Sequence, residues 1–419
     1  MNKTSIKAIV SATLTFGLSA SLFADGFRNP PEGASALGRI GGRIAYTEDA
    51  SAIAHNPANL VDLDQPSAYL SLTLGYSKMK FEAPDGRSTS SRSPWALLPN
   101  LFAATPLGED GWAFGIGLTS PYGRSTELPE DSPFRYSAPY YTQLMSANVA
   151  PTVAKRLNER LSVGFGVNFL YTDLEFRQIY PWGVVLGNPA LPDGRNTISA
   201  DGYGVGAAAA ITYAIRDNQR IALTYRSPIK VDLEGSFRIT DIPVDPVRGP
   251  AGAPRSDFES DITFPMVIAF AYGIQLTDKL TLEANIEWAR QSSFDKLDLD
   301  AGINQPLLPS DSIETDWNDN WTYGLSALYQ IDDQWVLRAG YIYLESPVPS
   351  RTMLPTTAEE DQSVVSIGVG YTSGNHRLDA TYSLGLFNGR RVTNSDTPDF
   401  NGKYDFEAHL FSLAYALNF

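Results

Sequence analysis

Leu280-Thr281-Leu282-Glu283-Ala284-Asn285-Ile286-Glu287-Trp288 sorts its side chains into two sets. Leu280, Leu282, Ala284, Ile286 and Trp288 fall on one face of an extended chain, and Thr281, Glu283, Asn285 and Glu287 on the other. A helix would scatter the apolar set around its axis, whereas a strand separates the two sets completely. The same split recurs. Leu378, Ala380, Tyr382, Leu384 and Leu386 oppose Arg377, Asp379, Thr381, Ser383 and Gly385, and Val365, Ile367, Val369 and Tyr371 oppose Ser366, Gly368 and Gly370. The runs Leu161–Thr172 and Phe411–Phe419 behave alike.

A soluble sandwich also alternates, with one packed and one wet face. Here the apolar faces are long, matching the nine to eleven residues that cross a bilayer on a tilt. The opposite faces are rich in Gly, Ala, Ser and Asn, which suits a crowded lumen rather than a Lys- and Glu-rich exterior. Short polar turns at Gly108–Gly111, Arg156–Glu159, Arg216–Gln219, Thr277–Lys279, Asp332–Gln334 and Gly374–Asn375 alternate with long segments near 83–96, 122–140, 177–200, 237–258, 293–314, 346–361 and 388–402. Short on one side and long on the other is the turn and loop asymmetry of outer-membrane barrels. The expected fold class is therefore all-β: a transmembrane antiparallel β-barrel of about fourteen strands over residues 67–419, in the outer membrane of a Gram-negative bacterium.

Residues 1–24 read as a signal peptide. Lys3 and Lys7 precede a mostly apolar run, with Leu22 and Ala24 before the expected cut. Cleavage there removes two lysines and no acids and takes the formal charge from −15 to −17. The apolar run is shorter than the roughly 20 residues of a spanning helix. A mean hydropathy of −0.17 is compatible with a barrel, whose alternation averages out. The acidic balance excludes a basic nucleic-acid footprint. The absence of cysteine excludes thiol catalysis and zinc–thiolate sites, and three histidines (His55, His376, His409) leave little for a metal centre. No cofactor or metal is expected. Residues 25–66 do not alternate; they carry short helical stretches at best, around Ala34–Ile40 and Glu48–Leu60, and form an N-terminal hatch that hangs in the periplasm or plugs the lumen.

Catalytic readings are weak. Glu283 and Glu287 lie four apart on a strand, about 13 Å from one another, too far for a glycosidase pair. They are expected to line the lumen and to pair with inward arginines such as Arg226, Arg338 or Arg377. His376 beside a turn and His409 on an apolar register are poor general bases. Glycine pairs such as Gly204 and Gly206 sit inside strands, without the helix start a nucleotide site requires. No enzyme is expected.

At the level of motifs, Asp25-Gly26-Phe27, Ala36-Leu37-Gly38-Arg39, Glu48-Asp49-Ala50-Ser51 and Asn56-Pro57-Ala58 resemble the N-terminal hatch of the FadL family of outer-membrane hydrophobic-compound transporters. Ser120-Pro121-Tyr122-Gly123, Leu223-Thr224-Tyr225-Arg226-Ser227-Pro228, Arg338-Ala339-Gly340-Tyr341 and Ser366-Ile367-Gly368-Val369-Gly370-Tyr371 agree in order. The resemblance implies a fourteen-stranded barrel plugged by a hatch, an outer landing groove, and sideways release at a kinked third strand.

Several sites follow as expectations. Asp25, Gly26, Phe27, Asn56, Pro57 and Ala58 belong to the hatch and gate. Gly115 and Gly117 remove side chains from the inner face of the third strand, and Pro121 removes a backbone donor beside Tyr122 and Gly123, marking the opening. The apolar stretch Ile179, Tyr180, Trp182, Val184, Val185 and Leu186 falls in a long loop. It is either an exposed ligand groove or a loop folded inward on its neighbours, and the family resemblance favours the groove. Arg226, Lys230 and Arg338 are candidate partners for a ligand carboxylate. Tyr415, Leu417 and Phe419 end the last strand on an aromatic and resemble the signal read by the barrel-assembly machinery. Loop acids such as Asp316 and Glu359 could share divalent ions with lipopolysaccharide. The expected partners are a hydrophobic small molecule and outer-membrane lipids, with no nucleic acid. The expected function is passive transport of long-chain fatty acids or hydrocarbons and aromatics, the alternatives being a general diffusion porin or a structural, adhesive barrel.

Overall fold

A computed structural model describes residues 25–419 except Glu48, Glu109 and 246–248. The expected signal peptide, 1–24, lies outside the described residues. Fourteen antiparallel strands form one closed wall: β1 (Ser67–Glu82), β2 (Trp95–Leu107), β3 in two pieces (Trp112–Thr119 and Gly123–Glu127), β4 (Tyr141–Asn158), β5 (Leu161–Tyr180), β6 (Gly194–Arg216), β7 (Gln219–Arg226 and Ile229–Ile239), β8 (Arg255–Phe264 and Val267–Gln275), β9 (Leu280–Ala289), β10 (Asn320–Gln330), β11 (Trp335–Leu344), β12 (Gln362–Ser373), β13 (His376–Leu386) and β14 (Gly402–Asn418). β1 pairs with β14 from Ser67↔Asn418 to Glu82↔Lys403, which closes the barrel. Closure pairs the first strand with the last, so neither is a free edge in lipid, where unpaired backbone groups could find no water.

The alternation decides which face turns where. Glu283, Asn285 and Glu287 of β9 are buried in the lumen, while Leu70, Leu72, Leu74, Phe411 and Leu413 stand exposed on the outer wall. This inverts a soluble sheet, because the apolar face meets lipid. Aromatic pairs edge the belt at both ends: Trp335 with Tyr371 near the short turns, ring centroids 4.7 Å apart, and Tyr76 with Trp95 near the long loops, 5.1 Å apart.

β5 and β6 run 20 and 23 residues, about twice what a bilayer crossing needs. They therefore rise beyond the lipid belt. Their upper parts carry Asp173, Glu175, Arg195 and Asp201 and lose the lipid pattern, which explains why the sequence reading makes the 177–200 loop too long at both ends. The long-loop end is capped by an apolar cluster that includes Phe81, Phe134, Trp182, Phe237 and Tyr404.

Residues 25–66 sit inside the wall. They contain α1 (Ala34–Gly38), α2 (Ala52–His55) and a 3-10 turn over Pro57–Asp62. Pro57 starts that turn and Asn56 caps it, its side-chain oxygen accepting the Ala58 N–H at 3.0 Å. Small residues on the wall let hatch backbone approach: a Cβ at Gly164 of β5 would lie 2.4 Å from the Ala58 nitrogen, so only glycine fits.

Leu413, mid-belt and outward, gives a direct check on membrane facing. Leu413→Arg should destabilise the folded barrel by about 2–4 kcal/mol in denaturant titrations in liposomes, whereas Leu413→Phe should not.

Candidate functional site

Among the described residues, the ladder between β2 and β3 is interrupted. The first piece of β3 pairs with β2 from Leu101↔Leu118 to Leu107↔Trp112, and with β4. After Ser120-Pro121-Tyr122 the second piece continues the ladder with β4 from Gly123↔Met145 to Glu127↔Tyr141. On the other side, among the described residues, only an Arg92–Glu127 bridge meets it. Residues 95–100 of β2 pair with β1 alone. A seam thus separates β2 from β3 above Leu101 and Leu118. Pro121 has no N–H to give, and Ser146 of β4 takes over the local bonding, accepting from the Tyr122 N–H at 3.0 Å and donating to the Tyr122 carbonyl at 2.6 Å.

The N-terminal end of the hatch fills the break. The Asn29 N–H donates to the Pro121 carbonyl at 2.9 Å, and the Gly123 N–H to the Phe27 carbonyl at 2.8 Å, around an Arg28–Tyr122 bridge. The Asn29 side chain adds a bond to the Ser120 carbonyl at 2.8 Å. Asp25, Gly26 and Phe27 therefore stand at the opening. Asn56, Pro57 and Ala58 do not set the hatch against it, as the sequence suggested. The Asn56 amide donates to the Ile44 carbonyl at 2.7 Å and to Thr212 of β6 at 2.8 Å, so the triplet folds the plug onto β5 and β6. A second correction concerns Gly115 and Gly117. Both lie in the fully paired piece of β3, and the space they leave is taken by Ile53 of α2; a Cβ at Gly115 would lie 2.7 Å from its Cδ1. Of the expected opening, only Pro121, Tyr122 and Gly123 coincide with the break.

Above this plug lies a narrow apolar cavity with about 50 Å³ of free space, between Phe27 and side chains that include Leu144, Leu174, Phe294 and Leu354. Arg124, beside the break, also lines it. Its guanidinium is 2.8 Å from the Glu359 carboxylate and donates to the Thr356, Ala358 and Gly26 carbonyls. Burial pushes the Glu359 carboxyl above the usual carboxylate range, against the opposing pull of Arg124 and of the Ser346 hydroxyl. A second space, between hatch and wall, is lined by Asp25, Arg28, Arg43, Arg226 and Glu287 and is therefore charged; it reaches Pro121 and Tyr122 at the break.

The hatch is held by ions. Glu287 is 3.1 Å from Arg28 and 2.9 Å from Arg43. Glu283 accepts the Ile44, Ala45 and Tyr46 backbone N–H groups at 2.7 to 3.2 Å. Arg377 bridges Asp49 of the hatch and Asp379 of β13, and Asp379 also holds Arg338 at 2.9 Å. Nearer the short turns, Asp62 binds Arg156 and Arg220. The partners of Glu283 and Glu287 are thus hatch groups, not the wall arginines the sequence pointed to.

The remaining expectations divide. Arg338 is fully buried against Asp379, and Lys230 is exposed beside Asp232 and Asp261, so neither faces the apolar cavity; Arg226 lines the charged one. Arg124 was missed, since an arginine after a glycine carries no signal of what its strand will face. The stretch around Trp182 is no open groove. Ile179 and Tyr180 end β5, Trp182 opens the short α3 (Trp182–Val185) and is fully buried, and the Tyr180 hydroxyl binds the Leu307 carbonyl at 2.8 Å. Val184 and Val185 reach solvent, and Leu186 packs partly buried. The loop acids are engaged as well, Glu359 by Arg124 and Asp316 by Arg351, and among the described residues no acidic or histidine group is arranged to hold a metal. Tyr415 is outward and pairs with His376, Leu417 is half-buried, and the exposed Phe419 ends the chain with its N–H on the Pro66 carbonyl at 2.9 Å.

These features define a class, a plugged outer-membrane barrel with a seam in its wall. The family model described as outer membrane protein transport protein (OMPP1/FadL/TodX) matches residues 16–419, and the chain belongs to this family. It is an outer-membrane transport protein, not an enzyme. The long-chain fatty acid transport protein of Salmonella typhi is 25% identical, over 96% of this chain and 95% of its own length. The outer membrane protein P1 of Haemophilus influenzae is 25% identical over 80% of each chain. Among solved structures, a Pseudomonas aeruginosa FadL homologue superposes with a TM-score of 0.81 at 19% identity, covering 94% of this chain and 100% of its own. The P. putida toluene transporter TodX gives 0.72 at 19%, covering 93% and 99%.

Removing the central anion should loosen the plug. Glu287→Gln leaves Arg43 buried beside a neutral amide and Arg28 with Asp25 as its remaining carboxylate, a loss on the order of 3–5 kcal/mol. Trypsin should then cut at Arg43 in folded protein that otherwise resists it; equal resistance in both proteins would count against the ionic latch.

Proposed function

We propose that the protein carries hydrophobic small molecules, long-chain fatty acids or hydrocarbons and aromatics, passively across the outer membrane, capturing them in the apolar cavity above Phe27 and releasing them sideways through the β2–β3 seam. The observation that carries this reading is the stopped β2–β3 ladder with the hatch N-terminus bonded into it. The cavity supports capture, and its size supports a moving plug: cavities that accept benzene are about 150 Å³, so a ligand enters only when Phe27 or a loop side chain gives way.

Energetics favour the sideways route. Each CH₂ taken into water costs about 0.8 kcal/mol, on the order of 12 kcal/mol for a sixteen-carbon chain. The charged space lined by Arg28, Arg43, Arg226 and Glu287 also borders the break, at Pro121 and Tyr122. Beside the seam the inner wall offers Ala96 and Leu98, packed with Leu37 and Ile40 of the hatch. Nothing in this route calls for energy coupling, so movement follows the ligand gradient. A general porin is the poorer reading, because residues 25–66 occupy the lumen.

Arg28 and Tyr122 are opposite one another in the bridge, the cross-strand spacing at which a disulfide forms. The native chain has no cysteine. In Arg28→Cys/Tyr122→Cys, oxidation should abolish uptake of a labelled hydrophobic ligand and reductant should restore it. Uptake that persists with the disulfide closed would rule out the seam as the exit.

A further inference from the structure

The apolar cavity has one charged residue among its described lining residues, Arg124. A lone inward guanidinium there would invite a carboxylate. It is not alone. Its Nη1 lies 2.8 Å from a Glu359 oxygen, both side chains are buried, and the second Glu359 oxygen accepts the Ser346 hydroxyl at 3.0 Å. Nε reaches the Thr356 carbonyl at 3.1 Å, Nη2 the Ala358 carbonyl at 2.8 Å and Nη1 the Gly26 carbonyl at 3.3 Å. The charge is cancelled within the wall of the site, and most of the donors are spoken for. Thr315, also in the lining, gives its hydroxyl to the Phe294 carbonyl at 2.8 Å.

We propose that this cavity selects uncharged hydrophobic molecules over carboxylates, with Glu359 acting as a resident carboxylate that occupies the place a ligand's own would need. The inference rests on the reading of this cavity as the capture site. An entering carboxylate would put a second anion beside a pair that is already neutral, in a site that excludes water. It would have to displace Glu359 from Arg124, leaving that anion buried and unpaired, or remain unmatched itself. Both are unfavourable. An alcohol or hydrocarbon of the same length meets neither difficulty. The arrangement also makes Glu359 the specificity-determining residue: without its charge, Arg124 becomes an uncompensated buried cation, and the same cavity acquires a use for an acid.

The test compares dodecan-1-ol with dodecanoate, ionised at pH 8, in equilibrium binding to the purified full-length barrel in one detergent, with micelles alone as reference. The wild type should bind the alcohol at least about tenfold more tightly, about 1.4 kcal/mol. Glu359→Gln should tighten dodecanoate by about tenfold and leave the alcohol within about threefold. Dodecanoate binding as tightly as the alcohol to the wild type would overturn the proposal, and this comparison stands even if the variant does not fold. So would a folded Glu359→Gln protein whose preference is unchanged. If neither compound binds, the cavity is not the capture site, and that more basic reading fails first.

Discussion

Two carboxylates on one strand fix the interior. Glu283 and Glu287 project from β9 into the lumen, one taking three hatch backbone N–H groups and the other two hatch guanidinium groups. The need for them follows from the wall. Fourteen strands enclose more space than their own side chains fill, so a plug is required, and a plug with little regular structure brings many polar backbone groups into a buried place. Each must find a partner there. β9 supplies acceptors in the middle, Arg377 meets Asp49 on another side, and Arg156 and Arg220 meet Asp62 near the short turns. Positive and negative groups thus alternate between plug and wall, which orients the plug as well as holding it.

With the hatch so oriented, residues 25–29 reach the break between β2 and β3. Phe27 then has two roles. Its carbonyl completes the backbone bonding of Gly123, and its ring, in contact with Phe294 and Trp317, floors the apolar cavity. Anything that enlarges the cavity by moving Phe27 also disturbs the bonds closing the seam. On the proposed route, capture and release are coupled by covalent continuity over two or three residues, with no long-range transmission required.

Much of this was legible in the sequence. The strict alternation from Leu280 to Trp288 dictates strand, face and register together, since a slip of one residue would put Glu283 and Glu287 in lipid. Pro121 marks the break because proline cannot donate to a ladder. Other features were not legible. Which arginine meets Glu287 depends on contacts between residues about 250 positions apart, and charge alone favours Arg226 as readily as Arg28 or Arg43. Gly115 and Gly117 looked like missing wall, yet a glycine in a strand marks equally a place where another element comes close, here Ile53. The stretch around Trp182 read equally as an exposed groove or a loop folded inward; the cap cluster that buries it is assembled from many loops and strand ends and leaves no local pattern.

The direction in which ligand leaves the lumen is the point on which the account depends. Photo-crosslinking reads it directly: the barrel, in outer-membrane vesicles, is illuminated during uptake of a hydrophobic ligand carrying a diazirine, and the labelled residues are mapped by mass spectrometry. Sideways release predicts adducts on Phe27, the β2 segment around Leu98, and Pro121 to Gly123. Adducts concentrated instead around Asp62, Arg156 and Arg220, at the short-turn end of the lumen, would mean that ligand passes straight down through the plug, and would contradict it.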